Sequence, residues 1–213
     1  MSRIDANVYV DGFNLYYSAL RDTPHRWLDL QALAVRLLDP DFAPHRIRYF
    51  TAPIRIRQVD PEKRRRQHLY LRALRSIPNL SIHLGYFLSN SVRMPLANTR
   101  PGQPPLVTVI RTEEKGSDAN LAAWLTRDAA KRDCSAAFVI TGDSDFTGVI
   151  RMVRREFNFP VHVIDPRRSS SRRLRSVSTS YRLLQRHLLP ECQFPARFTD
   201  RAGVITRPKM WDD

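Results

Sequence analysis

Ala137-Phe138-Val139-Ile140-Thr141-Gly142-Asp143-Ser144-Asp145-Phe146 is the stretch that decides the fold. An unbroken apolar run, mostly aromatic and β-branched, reads as a short strand buried on both faces, which is how strands of a parallel sheet read. The run stops at Gly142. Beyond it, Phe146–Phe157 carries Val149, Ile150, Val153 and Phe157 at helical spacing. Strand, turn and helix in that order form half of a βαβ unit. Similar runs lie on both sides: Asn7–Val10, Ile47–Thr51, Leu80–Phe87, Leu106–Arg111 and Val161–Ile164. Helical periodicity lies between most of them, at Leu28–Leu38, Pro61–Ile77, Asp118–Arg132 and Leu174–Leu189. The alternation predicts an α/β fold with a mainly parallel central sheet and helices on both faces. Ser89–Pro105, rich in Pro, Asn and Ser, reads as a long loop joining two strands, or as a hairpin arm. Periodicity fades after Pro190, so residues 1–190 are expected to form the domain and residues 191–213 a C-terminal tail.

The chain has 213 residues, of which 42% are hydrophobic, enough for one domain with a real core and too many for wholesale disorder. Lys and Arg number 35 against 21 Asp and Glu, giving a formal charge of +14, and 31 of the 35 are Arg. The planar Arg fork grips phosphate through paired hydrogen bonds, so this balance favours a nucleic-acid partner. The two cysteines, Cys134 and Cys192, cannot build a disulfide scaffold, and no Cys/His cluster has zinc spacing. Asp5 interrupts any signal-peptide run, and no stretch approaches the roughly 18 apolar residues of a membrane span. The expected setting is soluble, reducing and cytoplasmic, with no membrane partner.

In a doubly wound sheet ligands bind beyond the carboxyl ends of the strands. Asp11 follows the first strand in Val10-Asp11-Gly12-Phe13-Asn14. Asp143 and Asp145 follow the Ala137–Thr141 strand. Glu113-Glu114-Lys115-Gly116-Ser117-Asp118 follows Leu106–Arg111 where a helix begins. Each acid has a structural reading of its own. Asp118 or Ser117 suits a helix cap, Asp145 a cap on the next helix, and Asp11 a turn with Gly12. Together, three strand ends deliver acids to one edge of the sheet. Crowded carboxylates raise one another's pKa unless a cation sits among them. Asp11, Asp143 and Asp145 offer hard oxygen donors only, which selects Mg²⁺ or Mn²⁺ over zinc. Such an ion activates water and neutralises charge on a phosphate. An acidic pit in a basic protein therefore points to a phosphodiester substrate.

Val10-Asp11-Gly12-Phe13-Asn14, Glu114-Lys115-Gly116-Ser117-Asp118 and Thr141-Gly142-Asp143-Ser144-Asp145-Phe146, in this order, resemble the NYN domain, a PIN-like nuclease family that includes the LabA-like group. The resemblance spans about residues 5–190. It implies a PIN-like three-layer α/β/α sandwich and a metal-dependent ribonuclease site. By position, Asp11, Asp118, Asp143 and Asp145 match the acidic pocket, and Asn14 the polar residue beside it. Relatives often carry a further acid near the C-terminal helix. Here Ser176-Val177-Ser178-Thr179-Ser180-Tyr181 offers hydroxyls instead, and Asp165 ends the preceding strand.

Asn14, three residues past Asp11, suits a turn, a rotamer lock on Asp11, or a contact to phosphate or metal-bound water. Gly12 and Gly142 suit tight turns. Ser144 suits a cap, with its hydroxyl available to substrate. Arg111 and Lys115 flank the acidic mouth. Arg167-Arg168-Ser169-Ser170-Ser171-Arg172-Arg173-Leu174-Arg175 follows a strand end on the same edge, which places Arg172 and Arg173 as phosphate contacts or on a solvated charge run. Lys63-Arg64-Arg65-Arg66 reads as a solvated helix face. Tyr16, Tyr17 and Trp124 suit base stacking, although Trp124 at helical spacing from Leu121 favours the core.

The leading expectation is a divalent-metal-dependent ribonuclease acting on single-stranded RNA. Asp11, Asp143 and Asp145 would hold the metal, and Asp118 would complete the pocket. The alternatives are an inactive or weakly active RNA-binding module of the same fold and a small-molecule phosphatase. The phosphatase would need an Asp two residues after Asp11, where Phe13 stands. Oligomeric state, a homodimer included, is open at this level.

Overall fold

A computed structural model describes residues 3–54, 61–98 and 104–211. Six strands form one parallel sheet: β1 (Ile4–Asp11), β2 (Phe42–Thr51), β3 (Leu80–Leu84), β6 (Ala136–Ile140), β7 (Val161–Asp165) and β8 (Ser180–Leu183). Their order is β3-β2-β1-β6-β7-β8. The chain winds outward from β1 in one direction and then from β6 in the other. The switch point, where such sheets bind ligands, therefore lies between the carboxyl ends of β1 and β6. All five residues of β6 are buried, as the contiguous apolar run requires.

Alternation along β1 assigns the two faces. Ala6, Val8 and Val10 join a core with α1 (Gly12–Leu15), α2 (Leu30–Leu37) and α3 (Pro61–Arg75). Tyr9 faces the other core, packed by α4 (Ser117–Lys131), α5 (Thr147–Glu156) and α6 (Arg172–Val177). The result is the three-layer α/β/α arrangement expected from the sequence. The second core buries one charged network: Asp128 accepts from Arg48 Nε at 2.7 Å and from the Tyr9 hydroxyl at 2.8 Å. No described helix is long and apolar enough to cross a membrane.

Four expectations change. Leu106–Arg111 belongs not to the main sheet but to a separate antiparallel ribbon, β4 (Tyr86–Pro95) with β5 (Leu106–Lys115). Within Ser89–Pro105, Ser89–Pro95 is strand, which is the hairpin-arm reading, and residues 99–103 lie outside the described ones. The ribbon is largely exposed on both faces, so it carries no inside–outside alternation to read. Leu80–Phe87 divides at Gly85 between β3 and β4. The Leu174–Leu189 helix ends after Val177, where Ser178 turns extended, and its second half supplies edge strand β8.

The fourth change concerns the tail. Residues 191–211 build β9 (Arg197–Asp200) and β10 (Gly203–Thr206), an antiparallel hairpin, and a last turn at Lys209–Trp211. Cys192, Phe194, Ile205 and Trp211 are buried in the first core. Trp27 donates its indole N–H to the Pro195 carbonyl, and Arg72 pairs with Asp200 through its Nε at 2.9 Å. Strands of four residues are too short to show a period. Residues 212–213 lie outside the described ones.

Candidate functional site

In-register pairing sets Val10 beside Ile140, so Asp11 and Thr141 meet at the switch point. Asp11 is 6% exposed. Its Oδ1 accepts the Asn14 backbone N–H at 3.0 Å and its Oδ2 accepts the Thr141 hydroxyl at 2.9 Å. Thr141 Oγ1 in turn accepts the Asp143 N–H at 3.1 Å, so a single hydroxyl ties the Asp11 carboxylate to the Asp143 backbone. Asn14 closes the junction from the other strand: its Oδ1 accepts the Gly142 N–H at 2.8 Å, which leaves Nδ2 as its donor. Asn14 thus does what one sequence reading proposed, through its backbone, and clamps the β6 turn through its side chain.

Gly12 and Gly142 serve close approach rather than a left-handed backbone, since neither has positive φ. A Cβ on Gly12 would lie 2.6 Å from the Phe50 carbonyl oxygen, and one on Gly142 within 2.2 Å of Arg167 Nε. Side chains there would push the two strand ends away from their neighbours.

A cleft of about 310 Å³ opens at this junction, lined by Asp11, Phe13, Asn14, Tyr17, Phe87, Glu114, Asp118 and Asp143. Asp118 lies in the first turn of α4. Glu114 caps that helix, accepting the Ser117 N–H at 3.1 Å and hydroxyl at 2.7 Å. The ribbon reaches the cleft through Phe87, whose ring meets Phe13 edge-on at 5.9 Å.

The structure therefore gathers Asp11, Asn14, Asp118 and Asp143. Asp145 is exposed and outside the cleft lining, because Asp143 caps the short helical turn and accepts the Asp145 N–H at 2.9 Å. Its charge still reaches Asp118. Ser144 lies in the same turn, also outside the lining.

Arg111 and Lys115 are turned away. Alternation along β5 sets Arg111, Glu113 and Lys115 on the face opposite Glu114. Glu113 pairs with Arg111 and, at 3.0 Å, with Lys115 Nζ. Arg172 and Arg173 are exposed at the start of α6, which packs against the turn carrying Asp145. Trp124 is in the second core, under the Arg48 guanidinium at 4.1 Å.

Sequence reading missed Thr141 as a linker, left Glu114 open against Glu113, and did not single out Arg167. The parity of β5 was the available signal for Glu114, since only one of two adjacent acids can face the cleft.

Burial pushes the Asp11 carboxyl up to about 6, with the Asp118 and Asp143 charges adding to it against its two hydrogen bonds. Burial also raises Asp118, with Asp143, Glu114 and Asp145 adding. Carboxylates that raise one another lack a cation. Among the described residues, no group of three or more His, Cys, Asp or Glu side chains is arranged to hold a metal by itself. The oxygen-only donors and their unbalanced charge suit an ion such as Mg²⁺, which keeps most of its waters and takes one or two carboxylates. They do not suit a closed protein cage.

Comparison with known proteins agrees with this geometry. Residues 5–185 match the NYN domain model, and the chain belongs to that family of the PIN-like superfamily, whose members are typically nucleases that use divalent metals. Among solved structures, the fold is similar to that of a protein of unknown function from Vibrio parahaemolyticus. Their TM-score is 0.52 at 17% identity, covering 86% of this chain and 94% of that one. Among characterised proteins, the chain is 29% identical to 6-hydroxy-3-succinoylpyridine 3-monooxygenase HspA of Pseudomonas putida, over 96% of this chain and 74% of the relative.

Proposed function

We propose that the protein is a divalent-metal-dependent ribonuclease that hydrolyses single-stranded RNA at the β1–β6 switch point. The observation that carries this reading is the uncompensated acid group Asp11, Asp118 and Asp143, with Glu114 at its edge, in one open cleft. Mg²⁺ or Mn²⁺ would be held by Asp11 and Asp143, with Asp145 reached through water. When bound, the ion would activate water and neutralise phosphate charge. The chain's own groups do the rest. Asn14 and Thr141 fix the Asp11 carboxylate, Thr141 also holds the Asp143 backbone, and Asp118 receives a proton or orients water from the α4 side. Arg172 and Arg173 supply salt-sensitive phosphate contacts from α6. Cytoplasmic RNA is the natural substrate for a chain of this charge.

Asp143→Asn tests the reading. It is expected to lower Mn²⁺-dependent cleavage of labelled single-stranded RNA by about a hundredfold or more, with an unchanged thermal midpoint. Full activity in this variant would reject the assignment. RNA binding that survives EDTA, without products under any metal, would favour the inactive-module alternative.

A second reading follows from the monooxygenase relative, whose name describes a pyridine ring carrying an acidic side chain. An aromatic cavity beside the cleft favours it. Against it, the turn after β1 is Asp11-Gly12-Phe13-Asn14, an acid where dinucleotide-binding folds place their glycines. Incubation with 6-hydroxy-3-succinoylpyridine and NADH, followed for oxidised product, separates the two.

A further inference from the structure

The aromatic cavity has a volume of about 220 Å³ and shares Phe13, Tyr17 and Phe87 with the acidic cleft as a common wall. Beyond that wall its lining includes Tyr16, Tyr49 and Trp211, and no described carboxylate lines it. Arg26, Lys63 and Arg66 make one side basic. Arg26 Nη2 donates to the Met210 carbonyl at 2.8 Å and its guanidinium lies 6.0 Å from the Trp211 ring. Its Nε is buried without a hydrogen-bond partner among the described residues.

We infer that this cavity holds a single unpaired nucleobase, with one flanking phosphate in the acidic cleft and the other on the Arg26–Lys63–Arg66 side. The inference rests on the ribonuclease reading and extends it to a substrate subsite. The volume is below the roughly 300 Å³ at which pockets take drug-sized ligands, so one ring system fits rather than several. Aromatic walls stack on any base, and the basic side suits the phosphate that follows it. A base can enter only when it is unstacked and unpaired, which gives a structural reason for single-stranded substrate. The shared aromatic wall keeps the base adjacent to the acids. The basic side explains why Lys63 and Arg66, in a run that reads as a solvated face, instead border a cavity.

The experiment is calorimetric titration of the full chain in Mg²⁺ with adenosine 3′,5′-bisphosphate, which has no phosphodiester bond to cleave, ribose 5-phosphate and nicotinate. Saturable binding of the bisphosphate is expected, with ribose 5-phosphate weaker by about tenfold, the order of one base–aromatic stack. Ile54→Trp, which adds an indole to the cavity lining, and Arg66→Gln should each weaken the bisphosphate severalfold without moving the thermal midpoint. No bisphosphate binding, equal binding of ribose 5-phosphate, indifference to both cavity variants, or tighter binding of nicotinate would overturn the inference. Bisphosphate binding without RNA cleavage would remove the ribonuclease reading alone. Cleavage without bisphosphate binding would remove the base site alone.

Discussion

Asp11 and Asp165 both end parallel strands, with only β6 between them, and both are buried, at 6% and 0% exposure. Their surroundings differ completely. Burial alone would raise Asp165, but it accepts two bonds from the Arg167 guanidinium, at 3.1 and 2.9 Å, the Arg167 N–H, and the Tyr181 hydroxyl at 2.6 Å. These hold its carboxyl below the usual range. Asp11 has one N–H and one hydroxyl and faces two further acids, and its carboxyl is pushed up to about 6. A strand-end acid with its own guanidinium is part of the scaffold. One left without a countercharge keeps a place for a cation. Asp165 is thus already engaged.

The contrast breaks first, and most heavily, in activity. Asp11→Asn should cost about a hundredfold or more in Mn²⁺-dependent RNA cleavage, whereas Asp165→Asn should change the cleavage rate far less than it changes stability. A comparable loss of activity in both, at temperatures where both are folded, would erase the distinction. Next comes pH. In EDTA, the folded chain binds more protons at Asp11 than the unfolded chain between about pH 4 and 6, so its stability contribution is full below that window and lost as pH rises through it. The decline should be about 2–3 kcal/mol in denaturant titrations, absent in Asp11→Asn and reduced by Mn²⁺. Asp165 acts in the opposite sense, adding stability that is lost as pH falls below the ordinary carboxylate range.

Arg167→Met should then lower stability by about 2 kcal/mol. That is discounted from the roughly 3–5 kcal/mol of fully buried pairs because the guanidinium is about a third exposed, at 35%. Glu114→Ala should cost about 1 kcal/mol through the lost α4 cap, measured by thermal melting. The smallest effect belongs to Arg111→Ala, less than about twofold in cleavage and within about 0.5 kcal/mol, because its partner Glu113 lies on the far ribbon face. A large loss there would mean that the ribbon engages RNA with that face.

The same division governs what the sequence makes legible. β1, β6 and β7 are visible because strands covered on both sides must be apolar throughout. Asp11 and Asp143 are visible because they end two of those runs. β8 is hidden because Leu174, Val177, Tyr181 and Leu184 match a helical period by chance while the chain changes conformation at Ser178. The ribbon is legible only as one of two readings of Ser89–Pro105, because neither face is consistently buried, and the sense in which Arg111 and Lys115 point is hidden with it. Arg167 leaves no local signal, since its role follows from the proximity of Gly142 and Asp165 in space. Asp145 shows what sequence adjacency leaves open: two residues past Asp143, it is exposed and stands outside the cleft lining, where Asp143 accepts its backbone N–H.

The C-terminal hairpin has a practical bearing on any attempt to isolate the catalytic unit. A fragment cut at the family boundary, residue 185, would uncover Trp27 and Tyr70 and strip away Met210 and Trp211, which close one side of the aromatic chamber. Such a fragment would keep the carboxylates but lose one wall of the chamber beside them.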